Sequence, residues 1–100
     1  GVGARVLVAL LGLGMATDHE LSAATGAVPQ RIRWAIDGEK GAYKRAHALA
    51  TLELVVTASG PRGDVRVLTE EGERWARWLC RGVRERGVVA RAFREPRGLA

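Results

Sequence analysis

One hundred residues suffice for one modest hydrophobic core and not for two. The apolar share, 47%, is that of an ordinary globular chain, and sixteen Lys+Arg against eleven Asp+Glu leave a net charge of +5. This balance favours polyanionic partners, nucleic acid before an acidic membrane, while a lone cysteine, Cys80, excludes an intrachain disulfide and a cysteine zinc cluster.

The opening stretch is apolar from Val2 to about Leu13, with Gly12 and Gly14 marking its end, and reads as a first core helix. It resembles the core of a signal peptide, yet only Arg5 precedes it and no cleavage site follows; it is also too short and glycine-rich to span a membrane. The chain begins with Gly rather than Met, which suggests a trimmed piece. Thr17 or Asp18 caps the next helix, "DHELSAAT", which Gly26 closes. Pro29 opens "PQRIRWAID", with Val28, Ile32 and Ile36 on one face. After Gly38 and Gly41, "AYKRAHALATLEL" reads as helix again, with Tyr43, Ala46, Leu49 and Ala50 on one face.

Val55–Thr57 and Val65–Val67 have strand composition, and Gly60-Pro61-Arg62-Gly63 between them supplies turn chemistry. Thr69 then caps a last helix from about Glu70 to Arg86, with Glu70, Glu71 and Glu73 in its first turn, where the helix dipole favours anions. Trp75, Leu79 and Val83 recur along it at intervals of four, with Trp78 alongside, and Cys80 reads as a small buried apolar residue. From Arg81 to Ala100 six arginines face two glutamates, a phosphate-binding arm or only a solubilising end.

Two stretches compete as the DNA-reading element. "ELSAATGAVPQRIRWAI" has the spacing of a helix-turn-helix, which puts Arg31 and Arg33 on the exposed side of its second helix. The other reading rests on Leu10, Leu11, Gly14, Glu20 and Leu21, on Tyr43, Ala46, Leu49, Leu54 and Val55, and on Leu68, Thr69 and Gly72. In these positions the chain resembles the PadR-like winged-helix regulators, a branch close to the MarR group, over about Leu7 to Trp78. Asp18 and His19 depart from the family's usual Gly-Tyr, Glu53 stands where Gly is common, and Ala46 is smaller than the usual Leu.

The resemblance implies a mainly α fold with a small β-hairpin wing, a winged helix-turn-helix completed by a long C-terminal dimerisation helix. Residues 1–68 are the expected DNA-binding part, 69–95 the dimerisation helix and 96–100 a tail, all within one domain. The preferred major-groove helix is Ala42–Leu52, because it runs directly into the wing. Its expected contacts are Tyr43, Lys44, Arg45 and His47 with Lys40 just ahead. Arg31, Arg33 and Lys40 are flanking phosphate contacts in this reading, or simply a solvated face. Arg62 at the wing tip and, less directly, Arg66 on the return strand complete the set. Trp75, Trp78, Leu79 and Val83 are the expected dimer anchors, and the family resemblance adds a flat apolar effector at that interface.

The expected function is sequence-specific binding of double-stranded DNA by a cytoplasmic homodimer that regulates transcription, as a repressor by analogy. An architectural or plasmid-partition DNA binder and a winged-helix protein-interaction module are the alternatives. Catalysis has no support. His19 and His47 have no carboxylate or cysteine at ligand spacing, and no phosphate-binding glycine pattern follows a strand, so neither a cofactor nor a metal is expected.

Overall fold

The computed structural model describes residues 1–39 and 46–86, with side chains through Arg81. Helix α1 spans Val2–Leu13 and buries Val6, Leu7, Val8 and Leu10. Strand β1, only Met15–Ala16, leads into α2, Asp18–Thr25. A capping box starts α2: Thr17 Oγ1 accepts from the Glu20 amide at 3.2 Å, and the Thr17 amide donates to Glu20 Oε1 at 3.0 Å. Gly26 ends it with φ 78°, a left-handed conformation that glycine adopts without a Cβ clash. After Ala27 and Val28, Pro29 opens α3, Pro29–Asp37, whose inner face is Ile32 and Ile36.

Strands β2, Val55–Gly60, and β3, Gly63–Leu68, form a hairpin around Pro61-Arg62, and β1 joins the far side of β3. All pairings are antiparallel, with Val55 opposite Leu68, Thr57 opposite Arg66 and Ala16 on the other side of Arg66. Only Thr69 separates the end of the sheet from helix α4, Glu70–Arg86. The molecule is thus mainly α with a small three-stranded sheet, and its order of elements is that of a winged helix. Leu10, Leu21, Ile32, Ile36, Val6 and Val55 fill the centre of the core.

Helix α4 joins that core through small residues. Gly72 and Ala76 are buried and Leu79 is half-buried against the cluster, so the helix backbone lies close to its neighbours. The approach is closest at Gly72, where a Cβ would stand 1.9 Å from the Leu54 carbonyl oxygen. Thr69 secures the same joint: its Oγ1 accepts from the Gly72 amide at 3.0 Å and donates to the Glu53 carbonyl at 2.6 Å.

Two expectations need correction. A helix continuing through Leu52 is not what the chain forms: from His47 to Leu54 it is a series of turns. The reason lies in α3. The amides of Leu49 and Ala50 donate to the carbonyls of Ala35 and Ile36, each at 2.9 Å, and so satisfy the orphan acceptors at the end of that helix. Those amides are no longer available to a helix of their own. Residues 42–45 of the expected helix lie outside the described residues. The second correction concerns Cys80, which is half-buried rather than buried.

Candidate nucleic-acid interface

Helices α2 and α3 with the Gly26 turn between them make a helix-turn-helix. Ser22 holds the turn from inside, its Oγ donating to the Ala27 carbonyl at 2.6 Å. With Ile32 and Ile36 facing the core, the same helix must send Arg31 and Arg33 outward, and both are exposed. Trp34 is 40% exposed on that helix, an aromatic surface next to the two cations. At the far end of the hairpin Arg62 is also exposed. Glu20 at the start of α2 has a carboxyl pKa held below its ordinary value. The Thr17 amide and hydroxyl are the main causes, and the charge of Arg62 adds to them.

Arg66 is not on this surface. It was expected as a DNA contact, yet the residue is only 6% exposed and its guanidinium is fully engaged inside. Nε and Nη2 donate to Oδ1 and Oδ2 of Asp18 at 2.9 and 3.2 Å. Nη1 and Nη2 donate to Oδ1 and Oδ2 of Asp37 at 2.7 and 3.0 Å, and Nη1 also donates to Thr57 Oγ1 at 2.8 Å. All five guanidinium N–H groups are thereby used, which leaves none for a phosphate. Burial alone would lower the arginine's pKa, but the hydrogen bonds and charges of Asp37 and Asp18 outweigh it and hold the pKa above the ordinary value. Asp18 serves a second cation, since Arg33 Nε lies 3.8 Å from its Oδ2.

The other expected contacts divide sharply. His47 is exposed beyond the end of α3, whereas Lys40, Tyr43, Lys44 and Arg45 lie outside the described residues. On α4, Trp75 and Trp78 are 46% and 54% exposed, with ring centroids 5.8 Å apart in an edge-to-face pair. They line a shallow recess with Glu71 and Arg74. Leu79, grouped with them as a dimer anchor, instead turns towards the core, and the Val83 side chain lies outside the description. Arg74 pairs with Glu70 and Glu71, and Arg77 with Glu73, so α4 neutralises two of its own cations.

No family model, curated protein or solved structure matches the chain. The winged-helix topology rests on the element order and strand pairing alone. Among the described residues no group of three or more His, Cys, Asp or Glu is placed to hold a metal ion, and no helix is long and apolar enough to cross a membrane.

Sequence reasoning placed Arg31, Arg33 and Arg62 in a basic face but missed Asp18 and Asp37. These acids stand 48 and 29 residues from Arg66 along the chain. Only the fold brings them together. A local signal existed for Asp37 alone: an acid in the last turn of a helix opposes the dipole there, which asks for a compensating cation.

Proposed function

We propose that the protein binds double-stranded DNA in a sequence-specific manner and regulates transcription as a homodimer, in the manner of the PadR-like winged-helix regulators it resembles. The observation that carries this reading is the helix-turn-helix itself. Its second helix presents Arg31 and Arg33 outward, and the exposed Arg62 extends from the adjacent hairpin. In this reading α3, rather than 42–52, enters the major groove. The turns from His47 onwards favour that choice because they cap α3 and lead the chain back to β2. Forked guanidinium groups suit guanine edges and phosphates, and the hairpin reaches the neighbouring groove.

The exposed Trp75–Trp78 pair supports pairing of two copies through α4, since aromatic anchors of this size are enriched in interface cores. The recess beside them would accept a flat apolar effector. Two-fold pairing calls for a pseudo-palindromic site with half-sites about one helical turn apart. Occlusion of a promoter by such a dimer makes it a repressor. The protein acts in the cytoplasm by binding and carries out no catalysis.

Fluorescence anisotropy with a labelled random-sequence duplex tests the reading. The expected result is micromolar binding that weakens steeply with salt, as released counterions require. The double change Arg31→Ala with Arg33→Ala should reduce the log–log salt slope by about two and remove any sequence preference. Absence of duplex binding at low salt would overturn the reading and point to an acidic protein partner instead.

A further inference from the structure

We infer that Arg66 is a positioning residue for DNA recognition: by forking to Asp18 and Asp37 it fixes α3 and Arg33 relative to the wing, and so sets sequence preference rather than overall affinity. This rests on the DNA-binding reading above.

The geometry supports a link between elements rather than a simple surface pair. Arg66 sits in the middle of β3, Asp18 is the first residue of α2, and Asp37 is the last of α3. Thr57 on β2 accepts the fifth donor. One buried guanidinium thus touches both helices of the helix-turn-helix and both strands of the hairpin. Bidentate contacts to two carboxylates fix angles as well as distances, because the guanidinium is planar and rigid. Asp18 passes the constraint outward. Arg66 holds both oxygens of its carboxylate, and Arg33, with 63% of its side chain exposed, lies 3.8 Å from one of them, Oδ2. The exposed cation on the proposed reading helix thus lies within ion-pair distance of an acid whose position the arginine of the wing fixes.

Phosphate contacts tolerate small shifts of a basic face, since they depend mainly on charge. Bidentate base contacts do not, because two donors must meet two acceptors at once. Loosening the clasp should therefore separate the two quantities.

The test begins with wild-type protein and a random duplex pool, from which a preferred duplex is selected. Affinities for the preferred and random duplexes are then compared at one salt concentration. The main variant is Arg66→Met combined with Asp18→Asn and Asp37→Asn, which removes the fork without stranding buried charge. The expected outcome is a fall of about tenfold in the preferred-to-random ratio, the size of a misplaced bidentate contact. Binding to random duplex and its salt slope should stay within about twofold. General loss of folded protein would weaken both affinities equally, so the ratio isolates positioning.

If the triple variant does not fold, Asp37→Asn replaces it, because the Asp37 side chain is 45% exposed and its change is mild. The same criterion then applies. A folded variant with an unchanged ratio overturns the inference while leaving the DNA reading intact. Wild-type binding with no sequence preference overturns the inference as well. Wild-type protein that binds no duplex overturns the DNA reading itself, and the inference with it.

Discussion

The hairpin is fastened to the helices at two places, and the two fastenings are made of opposite materials. At its root the contact is steric: Val55 and Leu68 enter the core, and Gly72 of α4 lies against the Leu54 carbonyl with no room for a side chain. Halfway along, the contact is ionic: Arg66 forks to Asp18 and Asp37. The root depends on one absent methyl group. The clasp depends on three charged groups being present together. A fault at the root cannot be repaired by changing a partner, because the partner is backbone. A fault at the clasp can be, because a buried ion pair and an apolar replacement of similar volume are often close in energy.

The largest effect should therefore come from the root. Gly72→Ala places a Cβ 1.9 Å from the Leu54 oxygen, so α4 or the 47–54 turns must move. Overpacking of a core costs about 1–3 kcal/mol, and a collision with backbone belongs at or beyond the upper end. Urea unfolding should show a loss of about 3 kcal/mol or more, set by the same overpacking argument. A loss below about 1 kcal/mol, the bottom of that range, would mean that the seam is looser than described.

The clasp comes next. Arg66→Met alone leaves Asp18 and Asp37 without the cation they share, with only the exposed Arg33 near Asp18. Removing one partner of a buried pair costs about 3–5 kcal/mol, and water reaching the half-exposed Asp37 brings the expectation down to about 2–3 kcal/mol. Adding Asp18→Asn and Asp37→Asn should recover most of it. This recovery separates the two fastenings: if the triple variant is no more stable than Arg66→Met, the clasp does not act by charge compensation.

The same contrast explains what could be read in the sequence. At the root only the helix start was legible, because it is local, whereas the approach of Gly72 to the distant Leu54 carbonyl appears only in the fold. Thr69 reads as the cap of α4, and α1, α2, α3 and α4 each announce themselves by apolar spacing or a capping or closing residue. The clasp was not, because its parts meet only after folding. Arg66 sits at an inward position of β3, and strand alternation alone could not say whether that face met solvent or acids. Strand β1 was missed because two residues carry no periodicity. The 47–54 segment misled for a different reason. Its apolar spacing is that of a helix, but the Leu49 and Ala50 amides are taken by the end of α3, a tertiary demand that local pattern does not contain. The exposed tryptophans were legible as a stripe, yet only the fold shows that Gly72, Ala76 and Leu79 take the inward side and leave Trp75 and Trp78 outside.

The smallest effect tests the turn that carries the root. Glu53 has φ 59°, left-handed backbone that disfavours any side chain with a Cβ. Its carbonyl is held by Thr69, a backbone contact that survives substitution. Glu53→Gly removes the steric penalty of about 1–2 kcal/mol but adds the entropy that glycine loses on folding, about 0.5–1 kcal/mol. Glu53→Ala keeps the penalty. The glycine variant should therefore be more stable than the alanine variant by about 0.5–1 kcal/mol in urea unfolding. The difference between the two matters more than either value, since both remove the same carboxylate. Equal stabilities would mean that residue 53 is not left-handed in solution, and the approach of Leu54 to Gly72 would then need another path for the chain.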